Sequence, residues 1–365
     1  MDAMDDLKEI QQLIQAGALH EAAERIQSLH VSQQDDPELL SAKATLALMQ
    51  GDLQGASQLL KLGLDLYPDN VDLVYNMAVY HEKAGNYAAA FEWYTRAHVL
   101  TDDTLLRAEI NLQIRSMRHL LAGRCPRVLI GSVVSSTPEI LREFLVSLGA
   151  TSTDGLDVEY RLVDATDDPI CHRLLKTFAQ NVDHCAILEP KALTVESLAD
   201  SQPWSTHAAL KNKLVSMALD EAFDYLFLVD SNLILHPLTL RQLVATEKPV
   251  VCSIAWGKRH EQSACLPHVW LTDGDKLYRS RPGEHLTVID TILRAACFVQ
   301  QLKHPGTYEV GGVSRCILID RASLQRGVSF AAIANLSLPK EDQHFSVRAH
   351  VTGLPLYVDT HFPVH

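Results

Sequence analysis

A 34-residue step governs the first third of the chain: Gly17, Gly51 and Gly85 fall on it, as do Ala22, Ala56 and Ala90. Leu19, Leu53 and Tyr87 keep the same register, and so do Ile26, Leu60 and Tyr94. A fixed period of this length means that each unit is one supersecondary element that buries its apolar face only by stacking on the next. Apolar residues before each glycine recur at helical spacing, so each unit is predicted to be a pair of helices, the glycine permitting the tight turn between them. The small alanine lets the second helix approach the first. Pro68, in the stretch LYPDN, closes the second unit where a helix must stop. Three units are about the minimum for a stable stack, and the amphipathic segment 104–121 is expected to cap the last one.

At residues 123–126 the helical pattern ends. Short apolar stretches then alternate with helical ones: strands are predicted over 127–134, 158–163 and 225–229, and helices over 138–148 and 206–223. Alternation of this kind implies a mainly parallel sheet covered on both faces, with ligands beyond the carboxyl ends of the strands. The expected organisation is therefore a helical repeat domain over 1–124 followed by an α/β domain over 125–365. Cysteine usage divides at the same place. All seven cysteines lie at or after Cys125, an odd number with no C-x-x-C pair, which points to reduced thiols in a cytoplasmic compartment and away from a cysteine zinc site.

Charge excludes some partners. The chain has 32 basic and 45 acidic residues, a net −13. No stretch supplies the basic face that a nucleic acid or an anionic membrane needs. Up to Arg124 there are 18 acidic and 10 basic residues, so most of the excess belongs to the repeats. The first ten residues hold three aspartates and no apolar signal region, and no run approaches a membrane span. The sequence has no P-loop, no G-x-G-x-x-G after the first strand, no G-x-S-x-G and no H-E-x-x-H.

One stretch does carry chemistry. In DYLFLVDSNLILHP an apolar strand delivers Asp230, Ser231 and Asn232 to its carboxyl end, before a helix expected near Pro237. Oxygen ligands at i and i+2 of an extended tip can face one hard cation, and such a cation neutralises a diphosphate. The same residues also suit a plain turn after a strand. Asp164 ends the apolar EYRLVD, with Asp167 close behind, while Ser132 and Val133 end the first strand. Trp256 and Trp270 carry flat faces able to stack on a sugar or base, or to sit in a core. Glu341 and Asp342 follow Pro339 and Lys340 at an expected helix start, where the dipole favours an ionised carboxylate. They can serve helix stability alone, or a proton-accepting role.

Two resemblances extend these readings. The third repeat, VDLVYNMAVYHEKAGNYAAAFEWYTRAHVL, resembles a tetratricopeptide repeat, with Gly85, Tyr87, Ala90, Tyr94 and Ala97 at that motif's small and aromatic positions; the first unit departs most. Such a stack implies a concave surface for a protein or peptide, or a purely structural or dimerising appendage. Residues 127–365 resemble nucleotide-sugar glycosyltransferases of the GT-A fold. Asp230 to Asn232 match the D-x-D region, and HAALKNKLVSMALDEAFDYLFLVD matches the helix leading into it, with Lys211 and Asn212 at the motif positions. YEVGGVSRCILIDRASL matches the strand after the acceptor-side glycines, here Gly311 and Gly312. LPKEDQHFSVRAHVTGLPLYVDTHFPVH matches the E-D helix and closing strand.

The resemblance implies an inverting transfer of sugar from a nucleoside diphosphate, UDP- or GDP-linked, to an acceptor hydroxyl. Asp342 would be the base, with Glu341 beside it. The donor would meet Asp164, Ser132, Lys211, Asn212, Asp230, Gly311 and Gly312. A divalent manganese or magnesium ion would be held by Asp230, Asn232 and His361, with His365 as a further candidate. Asn232 departs from the family pattern and removes one formal charge, though an amide oxygen still ligates. The competing expectation is a non-catalytic binding or scaffold protein with a degenerate transferase domain. A homo-oligomer is open on either reading.

Overall fold

The computed structural model describes residues 3–28, 36–190, 203–258, 265–272, 276–281 and 283–365. The chain divides into two compact units, Met1–Arg124 and Cys125–His365.

The first unit is helical. Its described elements are α1 (Ala3–Gln15), α2 (Leu19–Ser28), α3 (Pro37–Gln50), α4 (Leu53–Leu66), α5 (Val71–Lys83), α6 (Tyr87–Leu100) and α7 (Thr104–Leu121). The three register glycines end α1, α3 and α5 in left-handed backbone, with φ of 75°, 78° and 75°. Side chains then start α4 and α6: Asp52 accepts from the Gly55 N–H at 2.9 Å, and Asn86 from the Ala89 N–H at 3.3 Å. Ala22, Ala56 and Ala90 have no exposed surface, as close helix approach requires. Leu60 and Tyr94, one period apart, are also fully buried, and the Tyr94 hydroxyl reaches Glu82 at 2.6 Å. The segment expected to cap the stack is α7, whose Ile110 and Met117 join the cluster around Tyr94.

The second unit holds β1 (Arg127–Val134), α8 (Pro138–Gly149), β2 (Asp157–Asp164), α9 (Pro169–Asn181), β3 (Cys185–Leu188), α10 (Pro203–Asp220), β4 (Tyr225–Val229), α11 (Thr239–Ala245), β5 (Val250–Lys258), β6 (Cys265–Pro267), α12 (Val288–Gln301), β7 (Thr307–Val310), β8 (Cys316–Asp320), α13 (Arg321–Gln325), α14 (Glu341–Val351) and β9 (Leu356–Val364). The sheet order is β3-β2-β1-β4-β8-β5-β9-β7, with β6 paired to β5. Strands β1 to β4 run parallel, and β5 and β9 share their direction; β6, β7 and β8 run against it. Strands buried on both faces read as continuous apolar runs, which is why RVLIGSVV and YLFLV show no alternation. Two clusters cover the sheet. Leu141, Phe144 and Leu148 of α8, Leu175 of α9 and Leu240 and Leu243 of α11 pack on one face. Leu210 and Leu214 of α10, Phe298 of α12 and Phe345 of α14 pack on the other. Strand order reverses about β1, so the carboxyl ends of β1 and β4 open the crevice where such sheets bind ligands.

All seven cysteines carry free thiols. Among the described residues no helix is long and apolar enough to cross a membrane.

The left-handed turns and the buried alanines make separable predictions. A Cβ on Gly85 would meet nothing within 4 Å, so Gly85→Ala should cost only the left-handed backbone, about 1 kcal/mol. Ala90→Leu should cost more, about 1–3 kcal/mol, by overpacking a fully buried contact. The urea midpoint of the full chain measures both.

Candidate active site

Three elements far apart in sequence converge on one ammonium. Lys211, in the middle of α10, is buried, with a side chain 6% exposed. Its Nζ lies 2.9 Å from Glu341 Oε1 and 3.0 Å from Asp342 Oδ1, both in the first turn of α14. It also lies 3.5 Å from Asp230 Oδ1, just beyond β4. The ring of Phe330 stands 5.3 Å from the same nitrogen. Burial disfavours the ammonium, but attraction from Asp230, Asp342 and Glu341 more than offsets it, so Lys211 stays charged.

The acids divide that stabilisation unequally. Burial raises Glu341, but the Lys211 pairing outweighs it and leaves its pKa lowered. Asp342 is more enclosed. Burial pushes its carboxyl up to about 6, against the pull of Lys211 and with the push of Asp230 and Glu341. Two carboxylates sharing one cation cannot both ionise freely, and the deeper one resists.

Arg315 links the acids through its backbone. It adopts left-handed φ of 69°, its carbonyl accepts from the Asp230 N–H at 2.8 Å, and its N–H donates to Asp342 Oδ2 at 3.4 Å. Such a conformation costs a non-glycine residue energy and persists where surrounding bonds fix it. Beyond β4, the Ser231 hydroxyl meets Ser136 Oγ at 2.8 Å, holding the tip of β4 to the loop after β1.

Two cavities flank this cluster. One of about 860 Å³ opens at the ends of β2 and β3 and is lined by Asp164, Thr166, Asp167, His172, Lys176 and Glu189, with Thr206 and Leu210 of α10. Asp164 accepts from the Thr166 N–H and hydroxyl at 3.2 and 2.8 Å and pairs closely with His172. The other cavity, about 530 Å³, has Asp342 in its wall with His268, Trp270, Ser314, Lys340 and Gln343, and apolar Leu266, Pro267, Val269 and Leu277. Both volumes fall in the range of small-molecule sites.

The expected site residues do not all meet. Lys211, Asp230, Glu341 and Asp342 come together, and Asp164 lines the larger cavity. Ser132 does not reach it: it is 1% exposed and its hydroxyl has no hydrogen-bond partner among the described residues. Asn212 faces elsewhere, accepting from the Phe330 N–H at 2.8 Å and the Ser329 hydroxyl at 3.2 Å. Gly311 and Gly312 lie under other protein groups. A Cβ on Gly311 would strike the backbone of Leu271, and one on Gly312 would strike the Trp270 indole.

His361, expected as a metal ligand, lies within β9, which continues through Val364 because it keeps pairing with β5 after a register shift. Its Nδ1 lies 3.0 Å from Asp359 Oδ2 and 3.1 Å from Gln242 Nε2. Asn232 is exposed, and His365 pairs through its backbone with Ile234. Among the described residues no three His, Cys, Asp or Glu side chains form a metal-ligating group. Asp230 already faces an ammonium, which would repel a cation bound to the same carboxylate. This donor set does not fit the expected divalent ion. His207 is a residue that sequence reading missed. It precedes Lys211 by one helical turn and senses Glu341, Lys211 and Asp230, with burial lowering its pKa. The i, i+4 spacing on one helix was the available signal.

No family model matches the sequence, and no curated protein matches it. Among solved structures, a mutant of the Thermobaculum terrenum O-GlcNAc transferase shares 14% identity over 60% of this chain and 44% of its own, with a TM-score of 0.30. S. aureus TarS 1-349 in complex with UDP-GlcNAc shares 14% identity over 64% of this chain and 56% of its own, with a TM-score of 0.38. Both are glycosyltransferases, and the chain spans about half the length of each.

Removing Lys211 should expose how much the cluster depends on it. Lys211→Met leaves buried carboxylates without their cation, a change expected to cost about 3–5 kcal/mol. Asp342, already raised, then rises further and Glu341 loses the pairing that held it down, so the native state binds more protons than the unfolded one and stability falls as pH rises. Urea unfolding should show a larger loss at pH 8 than at pH 5; an equal loss at both would show that the cluster is not electrostatically coupled.

Proposed function

We propose that the second unit is a GT-A-type glycosyltransferase that moves a sugar from a UDP- or GDP-linked donor to an acceptor hydroxyl with inversion. The observation that carries this reading is the placement of Asp342 in the wall of one cavity while α10, which carries Lys211, also lines another cavity beside Asp164. The donor nucleotide would occupy the larger cavity, with its diphosphate toward His207 and Lys211. The acceptor would enter the smaller one.

In the transfer, the acceptor oxygen attacks the anomeric carbon while its proton passes to the Asp342 carboxylate. The bond from that carbon to the diphosphate oxygen breaks, and the nucleoside diphosphate leaves with the electron pair. Lys211 holds positive charge beside the departing group at no reorganisation cost, since its ammonium is already fixed. A base whose pKa lies near the operating pH is suited to this step. The helical unit, resembling tetratricopeptide repeats, would hold a protein or peptide that carries the acceptor.

The alternative of a binding module has one observation in its favour: Lys211 pairs directly with the proposed base. Isothermal titration with UDP- and GDP-sugars separates the two, and no binding to any donor sinks the transferase reading. Donor affinity should be the same in chelator as in manganese, because Lys211 occupies the charge position; strict dependence on manganese would overturn that role.

Asp342→Asn should reduce transfer about a hundredfold to ten-thousandfold. In the wild type kcat/KM should rise with pH through about 6, as the Asp342 carboxyl loses its proton, and level off above. A profile flat through that range would remove Asp342 as the base.

A further inference from the structure

The smaller cavity has an unusual wall. His268 and Trp270 stand two residues apart on the segment that leaves β6, and both line the cavity with Asp342. Each ring rests on a glycine of a neighbouring segment. The His268 imidazole occupies the place a side chain would take on Gly257, in β5, and the Trp270 indole occupies the place a side chain would take on Gly312. Trp270 is bridged to Gly312 in antiparallel register, and its carbonyl accepts from the N–H groups of Gly311 and Gly312 at 2.7 and 3.1 Å. Backbone bonds on one side and a bare glycine on the other therefore fix the indole. Ser314 also donates its hydroxyl to the His268 carbonyl at 2.9 Å, which ties the same segment to the loop that carries Arg315.

We infer that this pair of glycine-seated rings is a platform for a sugar ring, so that the hydroxyl presented to Asp342 belongs to a carbohydrate acceptor. A pyranose has a face of C–H groups, slightly positive, and a rim of hydroxyls. The face of an indole is negative, and stacking suits the first. Ser314, Lys340, Gln343 and Asp342 supply polar partners for the second. The side chain of a serine or threonine has no such flat apolar face and would leave the rings uncovered. Trp270 stacks and orients the acceptor; its fixed position sets which hydroxyl meets the carboxylate. The inference rests on the transferase reading for its consequence, but binding to the rings can be measured without a donor.

The test is an NMR titration of the ¹⁵N-labelled full chain. The sequence has four tryptophans, and the indole N–H peak missing in Trp270→Phe belongs to Trp270. Chitotriose, cellotriose and a β-linked galactotriose are titrated in turn, beside a pool of serine- and threonine-containing peptides. At least one saccharide is expected to shift the Trp270 peak, with its affinity, read in every variant from the backbone amide peaks that the saccharide also shifts, falling about tenfold in Trp270→Ala and less in Trp270→Phe, which keeps a ring face. The remaining indole peaks report whether each variant is folded. If no saccharide shifts the Trp270 peak, or if only the peptide pool does, the platform is wrong. Loss of donor binding in the separate titration, with the saccharide shift intact, would instead remove the transferase reading and leave the platform standing.

Discussion

The Lys211 ammonium is the contact on which the second unit turns. It joins the middle of α10 to the tip of β4 and the first turn of α14, groups 19 and 130–131 residues away in sequence. Three acids with no cation among them would repel one another or take up protons; one lysine lets them remain close. Its neighbour serves the same end by another route. Asn212 fixes the backbone of Phe330, whose ring lies against Phe345 of α14 at 4.6 Å and also faces the Lys211 nitrogen. Lys211 and Asn212 thus hold one region from two sides, one by charge and the other by placing an aromatic ring.

This arrangement explains which parts of the site could be read in the sequence. Asp230 follows a strand and Glu341 and Asp342 begin a helix, while Lys211 lies inside the predicted helix over 206–223, so the strand and helix pattern placed all four. Asn212 carries an amide whose partner, the Phe330 N–H, lies 118 residues away in a segment without regular structure. Nothing local distinguishes it from a ligand-binding amide. Ser132 looked like a strand-end residue, but β1 is buried on both faces at that point and the serine is enclosed, and strand period alone does not say where a ligand can reach. His361 lies inside β9, which runs on past the apolar LPLYV because its pairing with β5 resumes at Val364 after a register shift.

The fold was more legible than the site, for a physical reason. Repeat register and apolar runs are read from many residues at once, and their consequences are local. The step of 34 residues reappears as three left-handed glycine turns, and RVLIGSVV and YLFLV reappear as β1 and β4 with the expected limits. A site depends on a few side chains whose directions are set by distant contacts. The left-handed Arg315, which joins Asp230 to Asp342, has no signature in its own sequence neighbourhood.

Glycine shows the same division most sharply. Gly17, Gly51 and Gly85 have open space where a Cβ would go, so their value lies in backbone conformation, and the period reveals them. Gly257 and Gly312 have no positive φ, and a Cβ on either would collide with a ring; their value is room. The residue type is identical and the physics is different. One kind shapes a chain and leaves its trace along the sequence. The other shapes a cavity wall, and only the partner ring, Trp270 or His268, reveals why a glycine stands there.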